Sequence, residues 1–107
     1  MPKQGTIVLV SFPFTDLSAA KVRPAVVLSV KPTGSDVILA FISSKRKQGE
    51  YDIGITPSTL NGLKAPSIIV CSKLATLEKA ILLGEIGFVE KGVMAHVKSK
   101  LRAIFGI

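Results

Sequence analysis

The sequence predicts a mainly β protein with a single terminal α-helix, a small antiparallel sheet or barrel covered by that helix. Short runs rich in Val and Ile (T-I-V-L-V, A-V-V-L, V-I-L-A-F-I and S-I-I-V-C) recur between segments holding Gly, Pro, Asn and Asp. That is the pattern of buried strands separated by turns. The apolar period changes only near the end, where Val93, Val97 and Leu101 fall four residues apart and Ile104 and Phe105 follow Leu101 by three and four, one stripe of an amphipathic helix. With 107 residues the chain has room for one core, so residues 1–107 are read as a single domain.

Taken in order, Gly5 to Phe12 reads as a first strand, and Phe12 to Ala20 as a loop closing back onto it. Pro24 has no backbone N–H to donate, which places it at the start of a second strand, with Ala25 to Val30 as the buried run behind it. Arg23 then stands at a strand mouth, its backbone held extended by the proline that follows. Lys31 to Asp36 holds the proline and glycine of a turn, and Val37 to Ile42 returns antiparallel to its predecessor. Ser43 and Ser44 end that strand and Lys45 to Glu50 form a basic loop.

Tyr51 to Ile55 alternates polar and apolar, as a half-exposed strand does. Thr56 to Pro66 reads as a long turn, Ser67 to Cys71 as the last strong core strand continued more loosely to Leu77, and Ile81 to Phe88 as a short final strand. In the helix, Glu90 lies near the start and Lys98, Lys100 and Arg102 near the end, the charge order that suits the helix dipole, and Gly106 is the expected terminator.

Hydrophobic residues make up 48% of the chain and charged ones 20%, which excludes a disordered chain. No apolar run approaches the roughly 20 residues of a membrane helix, and Met1 to Gly5 leads straight into strand-like sequence without a signal-peptide core. A cytoplasmic protein with no membrane contact is expected. Cys71 is the only cysteine and reads as a small buried hydrophobe. One His and one Cys make no metal site, Glu78 and Glu85 are scattered, and no Gly-rich phosphate loop is present, so neither metal nor cofactor is expected.

Fourteen Lys and Arg oppose seven Asp and Glu, giving a net charge of +7 and a pI near 9.9. Such an excess on a small domain points to a polyanionic partner, either nucleic acid or an acidic protein. There is no Trp and one Tyr, so Phe12, Phe14 and Tyr51 would have to supply any base-stacking surface.

Several blocks together carry a resemblance. They are Gly5-x-Ile7-Val8, Phe12-Pro13-Phe14-Thr15-Asp16, Lys21-Val22-Arg23-Pro24-Ala25-Val26-Val27-Leu28 and Ala40-Phe41-Ile42-Ser43-Ser44. Gly62-Leu63-x-x-Pro66-Ser67, Lys73-Leu74-Ala75-Thr76-Leu77 and Leu101-Arg102-Ala103-Ile104-Phe105-Gly106 follow in order. Over nearly its whole length the chain resembles the PemK/MazF toxins of bacterial type II toxin–antitoxin systems. The resemblance implies a PemK/CcdB-like, SH3-like barrel with a terminal helix, a homodimer, and metal-independent endoribonuclease activity on single-stranded RNA. It also implies a cognate antitoxin whose acidic tail covers the RNA groove. Catalysis falls on Arg23, and Ser43 stands where many members carry Thr. Several members also carry Glu-Gln-x-Arg where this chain has Ser72-Lys73-Leu74-Ala75; Lys73 offers a charge there only as a point cation.

Metal-free RNA cleavage needs a base for the 2′-OH proton, donors for the charge growing on phosphorus, and a proton for the leaving 5′ oxygen. Arg23 offers a planar fork of donors to phosphate, or is a surface arginine at the end of a strand. Ser43 offers a hydroxyl donor, or merely ends its strand. Asp16 is the candidate base, or an Asx-turn residue. Phe14, Thr15, Lys21, Ser44, Lys45, Arg46, Lys47 and Lys73 are the candidate RNA contacts; the basic loop among them also reads as a solvated surface. His96 lies one position off the apolar stripe and reads as a boundary or surface residue. A competing function on the same fold is a non-catalytic protein that binds RNA or a protein target such as a topoisomerase.

Overall fold

The apolar runs are continuous because their strands are buried on both faces. The computed structural model of the chain describes residues 2–13, 20–29 and 34–107. Its strands are β1 (Thr6–Pro13), β2 (Ala20–Val27), β3 (Asp36–Ser43), β4 (Asp52–Ile55), β5 (Ser67–Glu78) and β6 (Leu82–Phe88), followed by the helix α1 (Lys91–Phe105). A single 3-10 turn, Lys79–Ile81, joins β5 to β6. One antiparallel sheet in the order β4-β5-β3-β2-β1-β6 contains all six strands.

Alternate residues face alternate sides. Ile7, Val26, Ala40, Ile42, Ile69 and Cys71 pack with Val97 of α1, against which Met94 and Leu101 of the same helix also lie. Val8, Val10, Ala25, Val27, Leu39 and Phe41 form a second cluster closed by Ala75, Leu77 and Leu82. Val97 is fully buried, and burial of a side chain of that size contributes about 1.5–3 kcal/mol to holding the helix down. At its end Gly106 adopts a left-handed conformation (φ 70°, ψ 31°) and donates its N–H to the Arg102 carbonyl, the expected stop.

Three expectations are corrected. The sheet is mainly β and antiparallel as expected but does not close into a ring, since β4 and β6 stand at its two ends without pairing to each other. Pro24 does not start β2; it lies inside it, opposite Leu9 of β1. The proline is tolerated because the ladder to β3 begins only at Ala25, so residues 20–24 of β2 form an edge on that side. Asp52, expected on the solvated face of a half-exposed strand, is buried.

The long turn before β5 is held by Asn61, whose side chain is almost fully buried. Its Oδ1 accepts the N–H groups of Ser58 (2.9 Å) and Leu63 (3.0 Å), and its Nδ2 donates to the Thr56 carbonyl at 2.9 Å. Gly62, at φ +66°, then passes so close to β6 that a Cβ would land on the Ile86 carbonyl. The Phe88 N–H donates to the Leu60 carbonyl at 2.9 Å, and the Ser58 hydroxyl donates to Glu90 at 2.7 Å. The turn is thus fastened to both β6 and the start of α1.

Candidate functional site

Arg23 shares a face of β2 with Ala25 and Val27. Ala25 pairs with Phe41, and extending that register by two residues sets Arg23 across from Ser43, the last residue of β3. Both are half-buried and continue the second core cluster toward solvent. On the next strand the register breaks: Ala40 pairs with Leu74, but Phe41 pairs with Val70. Cys71, Ser72 and Lys73 therefore form a bulge on β5 with no counterpart in β3. A bulge bends a strand and re-aims its side chains, and this one turns Lys73 toward the mouth of β2 and β3.

The result is a hollow of about 410 Å³, walled by Arg23, Ser43, Arg46 and Lys73 over a floor of Phe41, Ile42 and Val70. Three cations and a hydroxyl meet there, and among the described residues no carboxylate lines the wall, an arrangement suited to a phosphodiester. A second, larger hollow of about 620 Å³ adjoins it, sharing Arg23 and Ile42. Its floor is apolar (Leu9, Val22, Pro24, Leu63 and Ile86), and Lys21, Ser44, Lys45 and Lys64 stand around it. Arg23 is thus common to a cationic hollow and an apolar one.

The loop from Ser44 to Tyr51 folds back over β4. Arg46 donates from Nε to Oδ2 of Asp52 at 3.1 Å, its Nη2 lies 3.1 Å from the same oxygen, and the Gly49 N–H donates to it at 2.7 Å. A Cβ on Gly54 would come to 3.0 Å from the Gln48 amide oxygen, so the glycine leaves room for the loop to lie on the strand. From the far side Lys100 of α1 donates to the Glu50 carbonyl at 2.8 Å.

The structure therefore brings together Arg23, Ser43, Arg46 and Lys73 in one hollow, and Lys21, Ser44 and Lys45 in its neighbour. Lys47 is exposed on the same loop but lines neither. Phe14, Thr15 and Asp16 lie outside the described residues. Two functional candidates escaped the sequence reading. Lys64 follows Gly62 in a turn whose packing on β6 no local pattern announces, and Asp52 was disguised by its polar position in an alternating run. Burial raises the Cys71 thiol to about 11, helped by the nearby Asp52 charge and opposed by Lys100, so it stays protonated and is no nucleophile. His96 is exposed on α1, as expected. Among the described residues no three His, Cys, Asp or Glu side chains are grouped as a metal site requires, and no helix is long and apolar enough to cross a membrane.

Solved structures share this architecture. An endoribonuclease from a mycobacterial species, solved with its cognate antitoxin, superposes with a TM-score of 0.81 at 17% identity, covering 100% of this chain and 97% of that one. MazF from Deinococcus radiodurans gives 0.79 at 21% identity, covering 99% and 97%. The Mycobacterium tuberculosis toxin MazF-mt6 gives 0.77 at 19%, covering 95% and 97%. At those identities the likeness establishes the fold. Membership rests on the sequence itself, which matches the family model over residues 3–105, through every strand and the helix described above. The chain belongs to the PemK-like, MazF-like toxins of type II toxin–antitoxin systems.

Proposed function

We propose that this toxin is an endoribonuclease that cuts single-stranded RNA without a metal ion. The observation that carries the reading is the convergence of Arg23, Ser43, Arg46 and Lys73, from β2, β3, the loop after it and the β5 bulge, on one hollow. In the reaction, the 2′ oxygen loses its proton and attacks the adjacent phosphorus, the bond to the 5′ oxygen breaks, and that oxygen takes up a proton. The products are a 2′,3′-cyclic phosphate and a 5′-hydroxyl. Arg23 places two donors on the non-bridging oxygens, where charge grows in the transition state. Ser43 adds a neutral donor beside it. Asp16 remains the candidate for the proton-accepting base.

A long RNA incubated with the purified protein in chelator, with 5′ ends mapped afterwards, tests the reading. Discrete cuts are expected. Intact RNA that is nevertheless retarded on a gel would instead establish the non-catalytic binder, the alternative favoured by position 75. There Ala75 packs against the second core cluster, so the strand presents no cation at that point and only Lys73 remains.

The partners follow from the same face. A cognate antitoxin with an acidic tail would meet Lys21, Lys45 and Lys64 around an apolar floor, next to the RNA hollow, and so compete with RNA. A homodimer is the proposed assembly, and sedimentation at micromolar concentration should return twice the chain mass. Cytoplasmic location belongs to the same proposal, since the substrate and the partner are found there.

A further inference from the structure

We propose that Asp52 is a positioning residue for RNA, acting through Arg46. The inference rests on the reading of the cationic hollow as the RNA site. Arg46 follows the end of β3 on an exposed loop, and a long side chain there would ordinarily sample many rotamers. Here a carboxylate that is only 1% exposed takes Nε and Nη2 of Arg46 on a single oxygen, at 3.1 Å each, together with the Gly49 N–H at 2.7 Å. The grip fixes one edge of the guanidinium plane and leaves donors on its other terminal nitrogen, while the side chain forms part of the hollow's wall. Asp52 belongs to the row running Ala25–Phe41–Val70–Asp52 across four strands, one step below Arg23 and Ser43. It ties the loop to the same sheet that presents Arg23.

Charge alone does not explain the pair. Asp52 cancels much of the long-range attraction that Arg46 would exert on a polyanion, so an arginine kept only for electrostatic steering would be better left unpaired. What the pair preserves is direction: a planar donor held in place before the phosphate arrives, with less rotamer freedom left to lose on binding. It follows that removing either partner should have nearly the same effect on RNA.

The test is a double-mutant cycle on the full chain. Affinity is measured with a single-stranded oligonucleotide whose 2′-hydroxyls are all replaced by fluorine, so that it binds without being cut. Asp52→Asn and Arg46→Ala should each weaken binding about tenfold, the size of one charge-assisted hydrogen bond, and the double variant should be no weaker than Arg46→Ala alone. Arg46→Lys keeps the charge beside the buried carboxylate but cannot grip it through two nitrogens, and it should also lose about tenfold. This variant keeps the test decisive if Asp52→Asn fails to fold. On cleavable RNA, Asp52→Asn should raise KM by a similar factor with kcat within about twofold of the parent.

Multiplicative losses in the double variant, parental affinity in Arg46→Lys, or a fall in kcat at unchanged KM would each overturn the proposal. If the parent cuts RNA while the cycle shows no coupling, the positioning role fails and the nuclease reading stands. If the parent binds without cutting and the cycle couples, the nuclease reading fails and the positioning role stands. A parent that binds no RNA removes both.

Discussion

Arg23 and Ser43 line one hollow just past the point where β2 and β3 cease to pair, each two residues beyond a member of the Ala25–Phe41 pair that closes the second core cluster. The guanidinium is thus carried on a rigid row and opens onto solvent, which suits a group that must be in place before charge develops. Arg23→Ala should reduce the rate of RNA cleavage by about a hundred- to a thousandfold, roughly 3–4 kcal/mol of transition-state stabilisation. Arg23→Lys keeps the charge without the fork and should remain badly impaired. Ser43→Ala should cost less and Ser43→Thr should be tolerated. Single-turnover kinetics on folded variants gives the ranking; parental rates in Arg23→Ala would move the site elsewhere.

The two lysines outside the cationic hollow separate wall from surface. Lys64 lines the apolar hollow beside Arg23, whereas Lys47 lines neither. Lys64→Ala should weaken RNA binding and flatten the dependence of log affinity on log salt by about 0.7, the value for one contact to a single strand. Lys47→Ala should leave that slope unchanged. Titrations at several salt concentrations provide the comparison, and equal slopes for the two variants would contradict the assignment.

Gly62 couples the turn after β4 to β6. Its left-handed backbone and the Ile86 carbonyl facing the missing Cβ make Gly62→Ala doubly unfavourable. The variant should lose about 1–3 kcal/mol of stability, visible as a lower Tm. Because Leu63 and Lys64 follow directly, RNA affinity should fall with it. A variant of unchanged Tm would show that the turn is less tightly fastened than its contacts require.

Cys71 makes a prediction about alkaline pH. Its folded-state value of about 11 lies above the ordinary thiol value, which is about 8.5. Below the ordinary value both states hold the proton and its contribution to stability is complete. As pH rises toward about 11 the unfolded chain releases the proton first and that contribution is lost. The stability advantage of the parent over Cys71→Ala should therefore shrink between about pH 9 and pH 11. Denaturant titrations across that window measure it; a constant difference would contradict the shift.

The fold was legible because β-branched runs and the helical stripe are local signals, and Ala40 to Ser43 ended where the run of apolar residues ends. Pro24 misled about β2, since its restriction concerns hydrogen bonds to β3 alone and pairing with β1 leaves no local mark. The site was legible only in part. Ser43 ends β3 where a sequence can mark it, while Arg23 lies inside β2 and not at the strand mouth its proline suggested. Lys73 was named through the family resemblance, and the register break with β3 that carries it to the hollow leaves no local mark. Asp52 needed knowledge of what its neighbours would bury.

The two free ends of the sheet bear on how safely the chain can accumulate. β4 is four residues long, and β6 loses register with β1 between Ile7 and Val8 and again between Leu9 and Val10, with glycines at 84 and 87. Neither end offers the long, flat, regularly spaced row of backbone groups that templates cross-β growth. At these two ends a strand of a neighbouring molecule therefore finds no long regular edge to add to, and the irregularity of β6 works against stacking there.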